Sequence, residues 1–149
     1  MIEVAWIVLR DENRFLLTQR SLTDTASGTW VFPGGKMDPE DRTLVDTAAR
    51  ELKEKVGIEG EQFKLLCDTH LDKYRVQVFC CKKWSGKPRP ACDDTIGVGW
   101  FSLAEMYALG QSLAPFVDDS LMYLSYLIQH YDSHPGEWRE GWRKCSENV

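Results

Sequence analysis

The apolar residues of this chain fall into short runs of the kind that form strands, separated by polar segments. Such runs of β-branched, aromatic and other apolar residues predict strands at 4–9, 15–18, 30–32, 63–67, 74–82 and 98–101. The first two runs are joined by a short polar segment that contains Asn13, which favours a tight antiparallel hairpin. Gly34 and Gly35 follow the third run and predict a sharp turn there.

One segment has the periodicity of an amphipathic helix. Its apolar residues recur every four positions and predict a helix over 43–56, with a stripe formed by Leu44, Ala48, Leu52 and Val56. Either Asp41 or Thr43 is placed to cap the first turn, and Gly57 is placed to end the last one. This helix is therefore the best-defined element in the sequence.

The remaining elements complete an α+β pattern. Ser102 and Glu105 form a capping-box pair that predicts a second helix, and apolar residues predict a final helix reaching about residue 131. The charged tail to residue 149 carries Trp138 and Trp142, and we expect it to close a homodimer or to cover the sheet. We predict one domain over 1–149, an α/β/α sandwich with a mixed central β-sheet flanked by helices.

Charge and composition limit the class of protein and of partner. Eighteen Lys and Arg residues against twenty-three Asp and Glu residues give a formal net charge of −5, which does not favour nucleic acid as a partner. The apolar run at 5–9 is shorter than a signal peptide's core or a membrane span. The five cysteines contain no C-x-x-C pair and suggest reduced thiols. We therefore expect a cytoplasmic protein without a membrane partner.

Two carboxylates on the predicted helix are candidates for metal chemistry. Glu51 and Glu54 are three residues apart, so they lie on one helix face, roughly opposite the apolar stripe, and can point into a cleft. Oxygen ligands of this kind, together with a backbone carbonyl of the glycine segment, suit Mg²⁺ or Mn²⁺. Such an ion neutralises a diphosphate and lowers the pKa of a water. Taken alone, a pair of glutamates at this spacing is far more typical of a solvated helix face than of a metal site.

The wider pattern resembles the Nudix box of the MutT-like Nudix hydrolases. The segment 35–58, preceded by Phe32-Pro33-Gly34, matches that box at Gly35, Arg50, Glu51, Leu52, Glu54, Gly57 and Ile58. The resemblance implies the Nudix fold and a pyrophosphohydrolase. The implied reaction is metal-dependent hydrolysis of a P–O–P linkage in a small-molecule nucleoside diphosphate derivative.

The same resemblance implies roles for individual residues. Glu51 and Glu54 would bind the metal, and Glu51 would also align or deprotonate the attacking water. Arg50 would orient Glu51 or bridge to the acidic residue of the preceding loop, and the Gly34 carbonyl would be a further metal ligand. The catalytic set is thus Arg50, Glu51 and Glu54. Gly35 with Lys36 is expected to contact the substrate.

Later residues complete the implied site. Asp94, with Asp93 beside it, precedes Trp100-Phe101 and is expected to bind the metal, although an Asp-Asp pair is equally typical of a solvated turn. Three aromatic residues next to strands would either stack on a base or belong to the core, namely Trp30, Tyr74 and Trp84.

The chain departs from the box in two places. Lys55 replaces a glutamate that commonly binds metal in the family, so its ammonium would occupy or repel the cation, or would extend outward and pair with Glu51 or Glu59. This departure supports an alternative, a nucleotide-binding or regulatory protein with weak or no catalysis.

The second departure is one extra residue before Arg50, which makes Asp41 or Glu40 the loop acid. This loop form is similar to that of the coenzyme A pyrophosphatase branch. Coenzyme A thus joins nucleoside triphosphates, ADP-ribose, sugar nucleotides and dinucleoside polyphosphates as candidate substrates.

Overall fold

The computed structural model describes residues 1–22, 28–115, 117, 125 and 129, and eight strands and two complete α-helices lie within them. The strands are β1 (Ile2–Val8), β2 (Arg10–Asp11), β3 (Arg14–Arg20), β4 (Trp30–Val31), β5 (Gly34–Lys36), β6 (Glu59–Leu71), β7 (Tyr74–Ser85) and β8 (Thr95–Phe101). The helices are α1 (Leu44–Val56) and α2 (Leu103–Leu109), and a 3₁₀ turn follows at Gly110–Ser112.

The strands are divided between two four-stranded sheets. The first has the order β5-β1-β7-β6, in which β1 is parallel to β7 and antiparallel to β5, and β6 is antiparallel to β7. In the second, β3 pairs antiparallel with β2, β4 and β8. The predicted α+β class with a mixed sheet is confirmed, with the strands distributed over two sheets.

The predicted hairpin between the first two apolar runs is wrong for most of its length. The tight connection exists, but it joins β2 to β3 through the pairs Arg10↔Phe15 and Asp11↔Arg14. Most of the first run lies in β1, which belongs to the other sheet, and the chain passes between the sheets near Leu9, whose carbonyl accepts from the Leu16 amide at 3.1 Å. When a strand is apolar on both faces, its sequence pattern does not indicate which strand it pairs with.

Side chains of β1 alternate between two cores, and this alternation defines the layers. Ala5 and Ile7 pack in the core that contains the apolar stripe of α1. Val4 and Val8 pack in the opposite core, which contains Met106 of α2. Helices therefore lie on both sides of the β-layer, as expected, and burial of each large apolar side chain contributes about 1.5–3 kcal/mol.

Both ends of α1 are formed by the residues that the sequence predicted. Thr43 is the N-cap: its side chain accepts from the Asp46 amide at 3.3 Å, and the Asp46 carboxylate accepts from the Thr43 amide at 3.2 Å. Gly57 ends the helix in the left-handed conformation, with φ 73°. The capping box of Ser102 and Glu105 at the start of α2 is confirmed as well. These caps fix the helical register of α1 and hence the direction of its acidic side chains.

Several predictions concern residues outside the described ranges. Ser125 and Gln129 are helical, while Leu121, Leu124, Tyr126, Ile128, Trp138 and Trp142 lie outside the described residues. The four described cysteines are free thiols. Over the described ranges, none of the helices combines the length and the apolar character needed to cross a membrane.

Candidate active site

A cavity of about 600 Å³ is lined by residues from β1, β3, β5, β7 and the C-terminal half of α1. Most of the site residues predicted from the sequence line this cavity, namely Gly34, Gly35, Lys36, Glu51 and Asp94. Lys55, the residue that departs from the expected pattern, lines it too. The fold therefore brings segments from both halves of the chain to a common site.

Glu51 is the buried carboxylate of this site. The residue is 7% exposed, and its Oε1 accepts from Nη1 of Arg50 at 3.1 Å. Its Oε2 is buried and has no hydrogen-bond partner among the described residues. Burial raises the pKa of Glu51, while the neighbouring Lys55 and Arg50 oppose that rise. One oxygen of a carboxylate next to the cavity is thus open to a further ligand.

The glycine segment is a strand and not the sharp turn that the sequence predicted. Residues Gly34–Lys36 form β5, which pairs antiparallel with β1. A Cβ atom on Gly35 would lie 2.5 Å from Oε1 of Glu51, and one on Gly34 would lie 2.2 Å from the Ala5 carbonyl oxygen. Glycine is therefore needed here for close approach: the strand backbone lies directly against the Glu51 carboxylate and against β1.

Arg50 connects the helix, the preceding loop and β5. Its Nε and Nη2 donate to the two carboxylate oxygens of Asp41 at 3.1 and 2.8 Å, and Nη2 also donates to the Lys36 carbonyl at 3.1 Å. The Arg50 guanidinium holds the pKa of Asp41 far below its usual range. Both roles expected of Arg50, contact with Glu51 and a bridge to the loop acid, occur together. The loop acid is Asp41; Glu40 is exposed.

Glu54 does not point into the cavity, contrary to the sequence prediction. Its carboxylate is 53% exposed and is not part of the cavity lining, whereas Glu51 is. Nη1 of Arg50 lies between the two, 3.1 Å from an oxygen of each. Positions three apart on a helix differ by about 60° around its axis, which suffices to move one side chain out of the cavity.

Lys55 forms an ion pair that the sequence did not predict. Its Nζ lies 2.5 Å from Oδ2 of Asp94, while Glu59 pairs with Lys53 at 2.8 Å instead. The other oxygen of Asp94 accepts from the Cys92 thiol at 2.6 Å. Asp94 therefore lies in the predicted site, but both of its oxygens already have partners.

The sequence did not single out other residues that line the cavity, notably Trp6, Thr18 and Arg20. Thr18 and Arg20 are two positions apart on β3, so their side chains lie on the same face of the strand. This spacing could have been recognised in the sequence. Of the aromatic candidates for base stacking, Tyr74 lines the cavity.

The other two aromatic candidates pack against neighbouring rings. Trp30 packs edge-on against Phe101 with ring centroids 4.9 Å apart, and Trp84 stacks on Trp100 at 5.9 Å. Only Trp84 is fully buried, and it belongs to the α1-side core; Trp30 packs against the opposite core.

The charges around the cavity balance. Three cationic and three anionic side chains line it, namely Arg20, Lys36, Lys55, Asp38, Glu51 and Asp94. Within the described ranges, no three His, Cys, Asp or Glu side chains converge as a ready metal-binding cluster. A diphosphate entering this cavity would therefore gain from an additional cation, and the open oxygen of Glu51 is a ligand for one.

The chain is similar to a known protein family and to several solved structures. The family described as NUDIX domain matches residues 2–120 of the chain. Among solved structures, a MutT NUDIX hydrolase from Burkholderia pseudomallei is 28% identical, with a TM-score of 0.70 over 81% of this chain and 95% of that one. A NUDIX hydrolase from Nitrosomonas europaea, 17% identical with a TM-score of 0.73, shares the fold.

Curated relatives match over a shorter segment. An uncharacterized Nudix hydrolase NudL from Yersinia enterocolitica is 44% identical over 61 residues, which is 40% of this chain and 31% of that protein. A CTP pyrophosphohydrolase from Escherichia coli is 39% identical over 60 residues, 40% of this chain and 44% of that protein. The matched segments span less than half the length of these relatives.

Proposed function

The chain belongs to the NUDIX domain family, and on that premise we propose that it is a pyrophosphohydrolase that cleaves a P–O–P linkage in a nucleoside diphosphate derivative with the help of a divalent cation. The observation that carries this proposal is the Glu51 carboxylate: it is buried beside the cavity, held by Arg50 on one oxygen, and without a hydrogen-bond partner on the other among the described residues.

The residues present fit a divalent cation. The open oxygen of Glu51 offers an anionic ligand, and the missing side chain of Gly35 leaves the space against that carboxylate free. The Gly34 carbonyl is proposed as a further ligand, because Gly34 lines the cavity together with Glu51. The Glu54 carboxylate lies outside the cavity and pairs with Arg50, so it would have to turn towards Glu51 to join them. A bound Mg²⁺ or Mn²⁺ would neutralise phosphate charge and lower the pKa of a water.

The protein side chains supply positioning and proton transfer. Burial raises the pKa of Glu51, which makes it a stronger base toward an attacking water than an exposed glutamate would be. Arg50 fixes the orientation of Glu51 through its own anchoring on Asp41 and on the Lys36 carbonyl. Lys36 and Gly35 lie along the cavity wall and are proposed to contact the phosphates.

A single variant tests this assignment. In Glu51→Gln, the carboxamide cannot act as a base and is a weaker cation ligand, so we expect kcat to fall by about 10²–10⁴-fold while the circular dichroism spectrum stays unchanged. Glu40→Gln is the matched control, since Glu40 is an exposed loop acid that does not line the cavity. A Glu51→Gln enzyme that turns over at wild-type rate would exclude the assignment.

The substrate is to be identified with a panel of compounds assayed with Mg²⁺ and with Mn²⁺. CTP deserves inclusion because a relative is a CTP pyrophosphohydrolase, and coenzyme A because of the form of the loop before Arg50. ADP-ribose, sugar nucleotides and dinucleoside polyphosphates complete the panel. Specificity depends on residues outside the shared motif, so the fold does not select among these compounds.

A second function is favoured by one observation, the Lys55–Asp94 ion pair inside the cavity. An ammonium there reduces the carboxylate charge available to a metal, which suits a nucleotide-binding or regulatory protein with little catalysis. If a panel compound binds in the presence of Mg²⁺ or Mn²⁺ but no phosphate or nucleotide product is released, this alternative is favoured over the pyrophosphohydrolase.

A further inference from the structure

We infer that the Lys55 ammonium is a built-in cation of the diphosphate site: Asp94 holds it in the cavity, it binds a phosphate oxygen of the substrate, and it keeps Asp94 from binding a divalent ion. This inference rests on the proposed function, since it specifies which charges receive the diphosphate. It also gives Asp94 a role different from the metal ligand expected from the sequence.

The ammonium is held in place by the Asp94 carboxylate, which is itself held by a neighbouring thiol. Lys55 belongs to α1, and its side chain is only 22% exposed, so it lies along the protein and not out in solvent. Its Nζ is 2.5 Å from Oδ2 of Asp94, while Cys92 donates to Oδ1 at 2.6 Å. Both carboxylate oxygens are thus occupied, one of them by the lysine.

The loop that carries Asp94 is itself fixed to the end of α1. The Ala91 amide donates to the Lys55 carbonyl at 3.0 Å, and the Arg89 amide donates to the Val56 carbonyl at 3.1 Å. The Ser21 amide donates to the carbonyl of Asp94 at 2.9 Å. The ion pair therefore sits between two backbone segments whose separation is set by hydrogen bonds, and it does not depend on side-chain rotamers alone.

The ammonium has donors left for a ligand. A lysine ammonium carries three N–H donors, and Asp94 is its single hydrogen-bond partner among the described residues. Because Lys55 lines the same cavity as Lys36 and Glu51, the remaining donors are available to an anion bound there. Lys55 thus adds a positive group for the charge of a diphosphate, besides Lys36 and the ion proposed at Glu51.

Reversal of the charge at Lys55 is expected to change the number of divalent ions that the protein binds. In Lys55→Glu, a carboxylate next to Asp94 and Glu51 would change the lining from three cations and three anions to two cations and four anions. Three neighbouring carboxylates attract a divalent ion at the position that the ammonium occupies in the natural chain. The variant should therefore bind one more Mn²⁺ than the natural protein does.

The experiment counts Mn²⁺ by calorimetric titration and by electron paramagnetic resonance of the free ion, for the full chain and its variants. Lys53→Glu is the matched control, because it makes the same charge reversal two residues earlier on α1, where the lysine is 66% exposed and outside the cavity lining. We expect one additional Mn²⁺ for Lys55→Glu and none for Lys53→Glu. An unchanged count in a folded Lys55→Glu would overturn the inference.

A second measurement reads the contact with phosphate directly and covers the case in which Lys55→Glu does not fold. Lys55→Met keeps the length of the side chain and removes its charge, so the affinity for methylenediphosphonate, a non-hydrolysable diphosphate, should fall about tenfold in the presence of Mn²⁺. Lys53→Met should leave that affinity unchanged. Equal affinities for Lys55→Met and the natural chain would overturn the inference.

Failure of the proposed function gives a different result. If Glu51→Gln binds as much Mn²⁺ as the natural chain, the assignment of the metal to Glu51 fails. The affinity of Lys55→Met for the diphosphonate still reports whether the ammonium binds phosphate, so the two conclusions are separable.

Discussion

Replacement of Gly35 by alanine tests how closely the strand backbone must lie against the Glu51 carboxylate. The new Cβ would lie 2.5 Å from the Cδ and Oε1 atoms of Glu51, whereas ordinary contact begins at 3.4 Å, so the carboxylate must move by about 0.9 Å. The strand cannot move instead without disturbing the Ala5↔Gly35 pair with β1. The alanine therefore displaces Glu51 while every side chain with a proposed chemical role is retained.

The expected loss follows from that displacement. A misplacement of about 1 Å in a catalytic group costs on the order of 10²-fold in rate, so kcat/KM on the substrate identified by the panel should fall by about that factor in Gly35→Ala. The overpacking should also lower the free energy of unfolding by about 1–3 kcal/mol. Urea denaturation measures the second effect separately from the first.

A matched control separates displacement of the carboxylate from loss of stability. In Gly99→Ala, the Cβ would meet the ring of Phe101 at 2.9 Å in strand β8, and neither residue lines the cavity. That variant should lose comparable stability and keep its kcat/KM. A Gly35→Ala enzyme with kcat/KM within threefold of wild type would refute the reasoning, and so would an equal loss of activity in Gly99→Ala.

Two further predictions concern the network around Arg50. Asp41→Asn removes the carboxylate that accepts two hydrogen bonds from Arg50, so the free energy of unfolding measured in urea at pH 7 should fall by about 2–3 kcal/mol; a loss below 0.5 kcal/mol would contradict this. The pKa of Asp41 is lowered in the folded state, so the stabilisation by its carboxylate is complete above the unfolded pKa near 3.8 and is lost as pH falls toward the folded value. The free energy of unfolding should therefore fall less steeply with decreasing pH in Asp41→Asn than in the natural chain. Parallel pH curves for the two proteins would argue against the ion pair. Mg²⁺ at a hundred times its dissociation constant should stabilise the natural chain by about 2.7 kcal/mol in thermal unfolding but leave Glu51→Gln unchanged, and an equal shift in both would place the ion elsewhere.

The parts of the fold that the sequence predicted well are those determined by neighbours along the chain. Thr43 and Gly57 act within one turn of the residues that they cap, so the bounds of α1 could be read directly. The stripe of α1 needs only the helical period. Glu51 could be singled out from the motif, but its predicted side of the helix is wrong. It was expected roughly opposite the apolar stripe, whereas it lies seven positions after Leu44, on nearly the same side of α1, and is buried.

The parts that were missed depend on strand partners far away in the sequence. Strand β6 spans Glu59–Leu71, whereas the apolar pattern predicted only 63–67. Among the described strands it lies at the edge of its sheet and pairs with β7 alone. Its residues are therefore exposed or half-buried, and most carry polar side chains without an apolar pattern. The division of β1 and β3 between two sheets was missed for the same reason: pairing is a long-range property.

The partner of Lys55 shows how this limit affects the interpretation of function. Along a helix, Glu51 and Glu59 are the expected partners, because each lies four positions away, yet the actual partner, Asp94, is 39 residues away and is brought there by a loop bonded to the end of α1. From the sequence alone, Lys55 is therefore a defect in a metal-binding pattern. With Asp94 beside it, the lysine is a compensated charge inside a cavity whose lining is balanced, and the same substitution becomes a means of receiving phosphate with fewer metal ligands.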